Sequence, residues 1–408
     1  MIKKWFSNIG PATLVAAAFI GPGTVTMCSL AGVNFGFTLL WALLFSVVIT
    51  VLLQEMSARL GVISQNGLAE NIRNEIKQPI IKFSVLVLIL SAIVIGNAAY
   101  QAGNIGGAVL GLETIVEFPK LEILNNSINT SSLIIGAIAF VFLFIGSYKT
   151  IERILITLVV FMSLSFLITA ILTKPDLGSL ASGLFTFETP SGSLLTIVGL
   201  IGTTVVPYNL FLHAALVKEK WHKASDLSFA RKDTVVAVVL GGLVSMSIIV
   251  SAAGIQNTNI ENASDLALGL APLYGDVSTY IMALGLFAAG ITSAITAPLA
   301  AAYVATGCLG WSIKMKSNKF RAIWMSILLL GVVFASLGIK PIEIIKFAQV
   351  TNGLVLPMVA GILIWMMNKS EILGLYINKK WQNIVSILLL LVVLFLGLKS
   401  VFQVMKWI

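Results

Sequence analysis

The chain has 408 residues, of which 58% are hydrophobic and 11% charged, with a formal net charge of +9. A water-soluble protein of this length would carry roughly a quarter charged residues, so a soluble enzyme is excluded. The positive charge is accounted for by basic loops against an anionic lipid leaflet and needs no nucleic acid.

Apolar runs of about 20 residues recur along the whole length, as a bilayer core of about 30 Å requires. They are continuous rather than alternating, which selects helices over a closed barrel. In chain order they predict eleven transmembrane helices, near 10–31, 35–59, 80–110, 131–147, 152–172, 193–217, 232–253, 276–308, 320–338, 341–367 and 382–404. The fold class is therefore an all-α polytopic membrane protein, with residues 1–408 forming a single transmembrane domain. Short amphipathic segments are expected in 60–78 and 261–273. Lys3 and Lys4 precede the first run with no small-residue cleavage site after it, so that run is read as a helix and not as a signal peptide. Cys28 and Cys308 lie in apolar runs without the spacing of a disulfide framework or a zinc site.

Most of the basic residues fall in alternate loops, among them Arg59, Arg73, Lys77, Lys218, Lys220, Arg231, Lys369 and Lys379. This bias predicts a cytoplasmic N-terminus and an outside C-terminus, in a membrane of the bacterial inner type.

Two runs contain sequence that a simple anchor would avoid. Gly21-Pro22-Gly23-Thr24 interrupts the first, and Gly202-Thr203-Thr204-Val205-Val206-Pro207-Tyr208-Asn209 interrupts the sixth. Each proline removes a backbone donor, and the neighbouring glycines make unwinding cheap. The interruptions fall in the first member of each half of a five-plus-five arrangement. The predicted halves are inverted repeats of about 10–172 and 193–367, with an extra helix at about 382–404. Broken helices at matching places in two halves point to a transport site at the midplane. Each break exposes carbonyls on one side and N–H groups on the other.

Other stretches resemble the NRAMP metal transporters, a family with the LeuT-like fold. Gln54-Glu55-Met56-Ser57-Ala58-Arg59-Leu60-Gly61 is similar to the end of that family's second helix. Asn209-Leu210-Phe211-Leu212-His213 after Pro207 is similar to its sixth, and Ala348-Gln349-Val350-Thr351-Asn352-Gly353 to its tenth. The resemblance covers essentially the whole chain and implies alternating access around the two breaks. It stops at the metal ligands: where the family has Asp-Pro-Gly-Asn the chain has Gly21-Pro22-Gly23-Thr24, and Val206 replaces a methionine. In the third helix, where the family places acidic residues, the chain has Asn97, Gln101 and Asn104. No metal ligand and no cofactor is assigned.

The expected substrate site comprises Gly21, Gly23, Thr24, Thr26, Thr203, Thr204, Val206, Tyr208, Asn209 and Gln349. Its hydroxyls and amides, beside two helix N-termini, point to a small anion such as bicarbonate or a small carboxylate. Alternatives are a divalent cation, Mg²⁺ or Mn²⁺, carried largely hydrated, and a membrane sensor without transport. Coupling to H⁺ or Na⁺ is expected. His213, with Asn97 and Gln101, is the candidate proton path, and Thr292, Ser293 and Thr296 are a candidate sodium set. The chain shows no phosphate-binding loop and no nucleophile–base pair, so neither ATP-driven transport nor an enzyme is expected.

Overall fold

The structure, a computed structural model, describes residues 20–116, 118–123, 126–146, 149–255, 259–311 and 315–405. The predicted first half-helix before residue 20 lies outside them. In chain order its helices begin with α1 (Pro22–Phe35), α2 (Leu40–Ser64), α3 (Leu68–Glu75), α4 (Pro79–Ile115), α5 (Thr130–Ile145), α6 (Lys149–Leu172), α7 (Leu177–Phe185), α8 (Leu194–Thr204), α9 (Pro207–Lys220), α10 (Leu227–Ala252) and α11 (Ala263–Ala267). The chain continues through α12 (Ala271–Tyr274), α13 (Ser278–Leu309), α14 (Asn318–Ser336), α15 (Pro341–Met366), α16 (Ser370–Leu373) and α17 (Lys380–Val404). Among the described residues, nine helical segments are long and apolar enough to cross a bilayer, and α5 is a shorter apolar helix.

Proline sets the start of several of these helices. Pro22, Pro79, Pro207 and Pro341 all occupy the first turn, where a missing N–H costs nothing and the fixed φ is already helical. The 37 residues of α4 would span about 55 Å at 1.5 Å per residue, so it crosses a bilayer only when tilted or protruding. It packs closely on α13: a Cβ on Gly290 would stand 2.5 Å from the Ala108 backbone nitrogen. Small residues at such seams give membrane helices the contact area that hydrophobicity alone cannot supply.

The buried apolar side chains separate into two main clusters. One joins α1, α2, α8, α9, α10 and α15, through residues such as Met27, Leu53, Ile201, Phe211, Ile248 and Leu356. The other joins α4, α5, α6, α13 and α14, through Ile105, Ile135, Val159, Ile291 and Trp324. Large apolar side chains on α5, α6, α14 and α17 are exposed, for instance Phe144, Ile171, Leu329 and Phe395. A patch of that extent is disfavoured in water and suits a lipid-facing surface.

Two features went unread in the sequence. A hairpin pairs Lys120–Ile123 antiparallel with Asn126–Asn129, and α7 is capped by Asp176, whose carboxylate accepts from Ser179 N–H at 2.7 Å.

Candidate functional site

The second break is a real discontinuity, and at the first the described chain enters α1 from extended backbone. At the first, Gly21 is extended (φ −103°, ψ −176°) and α1 starts at Pro22. At the second, α8 ends at Thr204, Val205 and Val206 are non-helical (φ −103°, ψ 74°; φ −73°, ψ 118°), and α9 starts at Pro207. Pro207 is four residues beyond Thr203, so it cannot donate the N–H that would pair the Thr203 carbonyl in a continued helix. Neither α1 nor α9 has a side-chain cap.

The structure brings the two breaks together. Thr24 and Thr203 share a hydroxyl–hydroxyl hydrogen bond of 2.9 Å. Gln349 of α15 closes the third side. A Cβ on Gly23 would stand 2.1 Å from its Nε2, and one on Gly202 only 1.9 Å from its backbone oxygen, so bare backbone is needed at Gly202, while at Gly23 the obstacle is the end of a flexible side chain. Tyr208 packs edge-on against Tyr100 of α4 with ring centroids 5.4 Å apart, which brings α4 against the second break within the first apolar cluster. Val206 is fully buried and supplies no donor or acceptor side chain.

Thr24, Thr26, Thr203, Thr204, Tyr208, Asn209 and Gln349 are all at most 3% exposed. Several of their polar atoms nonetheless lack a partner: Thr26 Oγ1, both side-chain atoms of Asn209, and Gln349 Oε1. Buried polar groups are normally satisfied, so these mark a place built for something besides protein. Thr204 is different, since its hydroxyl donates to Leu200 O at 2.8 Å within its own helix. Sequence reasoning missed Asn352 and Ser29, whose Nδ2 and Oγ are also buried and unpaired. The signal was available, because each lies three residues past a chosen residue, Gln349 and Thr26, on the same helix face.

The other candidates spread away from the breaks. His213 is buried two turns into α9, with Nδ1 2.7 Å from Gln54 Oε1 of α2 and Nε2 unpaired. Gln101 donates to Ala294 O of α13 at 2.9 Å, and its stem lies against Gly331 of α14, inside the second cluster rather than at the breaks. Asn97 and Asn104 flank it on the same stripe of α4, each with an unpaired Nδ2. Thr292 and Thr296 donate to Ala288 O and Thr292 O, at 2.7 and 2.9 Å, leaving Ser293 as the unpaired hydroxyl of that set. Among the described residues no group of three His, Cys, Asp or Glu side chains converges as a metal cage.

Comparison with known proteins places this geometry. The model of the Nramp family, "Natural resistance-associated macrophage protein-like", matches residues 12–403. The divalent metal cation transporter MntH of Verminephrobacter eiseniae is 27% identical over 389 residues, covering 93% of this chain and 85% of that protein. MntH of Yersinia pestis is 27% identical over 400 residues, covering 96% and 93%. The manganese transporter of Eremococcus coleocola superposes with a TM-score of 0.75 at 20% identity, covering 98% of this chain and 87% of that one. A nucleobase-cation-symport-1 family transporter superposes with a TM-score of 0.56 at 14% identity, over 98% and 93%. These likenesses fix the fold as the LeuT-like inverted repeat.

They also correct the expected substrate. The anion reading weighed the N–H ends of α1 and α9 and the lost carboxylate, whereas the relatives of this chain are divalent metal cation transporters. The physical reason lies in the break itself, which offers oxygen as readily as N–H. Pro207 cannot supply the helical donor for the Thr203 carbonyl, and the side-chain oxygens of Asn209, Thr26 and Gln349 are buried and unpaired. A family match over nearly the whole chain, with α8 and α9 separated at the second break, leads to one conclusion: this chain is a membrane transporter, not an enzyme, and belongs to the Nramp family.

Proposed function

We propose that the protein moves a divalent metal cation across the membrane by alternating access, binding it between the ends of α1, α8 and α9 and Gln349 of α15. The observation that carries this reading is the family match along residues 12–403, together with relatives named as divalent metal cation transporters. The first-coordination oxygens would be neutral: the Thr203 carbonyl, the Thr24 and Thr203 hydroxyls, and the amide oxygens of Asn209 and Gln349. Hard cations such as Mg²⁺ accept carbonyl, amide and water oxygens and keep part of their hydration shell. A soft thioether that would favour a transition metal is missing at Val206, so Mg²⁺ should compete with Mn²⁺ better here than at a sulfur-containing site.

Charge bias supports a cell-membrane location with the N-terminus inside and the C-terminus outside. The two repeats, about 10–172 and 193–367, would be the halves that alternate, with 382–404 appended. His213 is the group placed to carry a coupled proton, because it lies on the same half-helix as Asn209 and has a free ring nitrogen.

The test is flux into proteoliposomes loaded with a metal-sensitive dye, measured for Mn²⁺ and Mg²⁺ with internal pH recorded. The expected result is saturable uptake of at least one ion, reduced at least tenfold by Asn209→Ala with the fold intact. Binding without flux of either ion would show a sensor instead of a carrier.

A further inference from the structure

The short helix α3 sits where the far ends of three membrane helices meet. Lys218, in the last turn of α9, donates to Glu70 at 2.8 Å. Lys369, just past α15, donates to Glu75 at 2.9 Å. Between them α3 lies on the end of α13: a Cβ on Gly307 would stand 2.9 Å from the Ala69 Cβ, and the Arg73 guanidinium covers Gly310, the left-handed cap (φ +68°). Glu70 and Glu75 are five residues apart, so they point about 140° away from each other around the helix. One glutamate therefore cannot serve both partners, and α3 acts as a cross-piece. Asn71 fastens it to the end of α2, donating to Ser64 Oγ at 2.8 Å.

What α3 holds is mechanically connected to the site. α9 is the half-helix that begins at the second break, and Lys218 lies eleven residues beyond Pro207, about 16 Å along the same rigid rod. Displacing the Lys218 end must tilt the Asn209 end. The ion pairs are partly solvated, with side-chain exposures of 21% and 24% for Lys218–Glu70 and 28% and 19% for Lys369–Glu75. Pairs of that kind are individually weak, which suits contacts that break and reform in every cycle.

We propose that α3 is the bar of a gate on this side of the membrane: it keeps the site closed by clasping α9 and α15, and it must release Lys218 for cargo to leave. The proposal rests on the alternating-access reading above. It assigns Glu70, Glu75, Lys218 and Lys369 a role in conformation and none in binding the ion.

The test uses full-length protein in proteoliposomes, in a Cys28→Ala/Cys308→Ala background carrying Ala215→Cys. Ala215 is 5% exposed on α9 and its Cβ lies 3.7 Å from where a Gly67 Cβ would be. The readout is the rate of alkylation by a membrane-impermeant maleimide supplied on the α3 side. Lys218→Glu should raise that rate at least fivefold by setting like charges against each other, and Lys218→Glu/Glu70→Lys should return it most of the way. Lys369→Glu with Glu75→Lys should behave in the same pairwise manner. An unchanged rate in both single variants would overturn the proposal, as would a raised rate that the charge swap does not restore. Labelling reads conformation without cargo. A rescued labelling rate in a protein that moves no divalent cation would therefore uphold the gate and sink the transport reading alone.

Discussion

Thr24 and Thr203 are separated by 179 positions in the chain, yet their hydroxyls lie 2.9 Å apart across the gap between two broken helices. Each is the polar side chain that its half of the fold projects at the interruption. The bond links α1 directly to α8, beside the two interruptions.

Breaking that link should destabilise the protein in a recognisable way. Thr24→Val or Thr203→Val leaves the partner hydroxyl buried, a penalty of about 1–3 kcal/mol. The double variant should cost clearly less than the sum of the singles, because two apolar groups satisfy each other. Thermal unfolding in detergent measures all three, and strict additivity would show that the hydroxyls act separately.

Gly202 and Gly23 should differ in tolerance although both abut Gln349. A methyl on Gly202 strikes the Gln349 backbone oxygen, which is fixed within α15, whereas one on Gly23 strikes the end of a flexible side chain. Gly202→Ala should cost about 1–3 kcal/mol or prevent folding, while Gly23→Ala should yield folded protein with Gln349 turned away. Yield of monodisperse protein and its melting temperature will decide. Equal tolerance at both positions would contradict the packing described.

Arg59 is 2% exposed and uses both terminal nitrogens of its planar head, while its buried Nε has no partner. One terminal nitrogen donates to the carbonyls of Tyr376 and Ile377 at 2.9 and 3.3 Å. The other donates to Glu55 at 3.1 Å and Asn378 at 2.7 Å. A lysine ammonium cannot reproduce that fork. Arg59→Lys should lower stability measurably, and Arg59→Ala by about 1–3 kcal/mol, since it leaves the buried Asn378 oxygen without its donor. A melting temperature unchanged by Arg59→Ala would show that the loop at 376–378 needs no such anchor.

Glu261 and Lys340, 2.8 Å apart and exposed, set a pH window. The hydrogen bond from Lys340 and then its charge hold the Glu261 carboxyl below its ordinary range, and the reciprocal contact raises Lys340. The lowered carboxyl contributes stability above the unfolded carboxylate value of about 4 and loses it as pH falls through the folded value. The raised ammonium contributes below the unfolded lysine value of about 10 and loses it as pH climbs through its own folded value. Between pH 6 and 8, Lys340→Ala should produce a small, salt-sensitive and pH-independent change in melting temperature. A change that varies across this range would point to another titrating group.

Much of this was legible in the sequence because membrane helices declare themselves by length and by proline. Pro22 and Pro207, each beside flexible residues, marked both breaks, and the hydroxyls of Thr24 and Thr203 could be assigned to one site on fold symmetry alone. The preferred charge of the cargo was misread because the N–H ends and the missing carboxylate were given more weight than the carbonyls exposed at the same breaks. The oxygen that Pro207 frees at Thr203 has no letter of its own. Gln101 was placed by its neighbours on α4, but the side of a helix that faces the breaks is set by packing, and Gly331 seats it elsewhere. The hub at α3 could not be foreseen either, since Glu70 and Lys218 are paired only by tertiary folding.

The seam between α8 and α15 carries a last consequence. Gly202 abuts the Gln349 carbonyl, and a Cβ on Gly353 would stand 2.5 Å from the Val198 carbonyl, so the two helices touch along bare backbone over a full turn. The one side chain at this contact, β-branched Val198, has little freedom to rotate, and a slip would drive amide against amide. α8 and α15 are therefore held together as one splint, and the change of direction between α8 and α9 falls on Val205 and Val206, where the helical ladder stops after the Val205 N–H bond to Ile201 O at 2.8 Å.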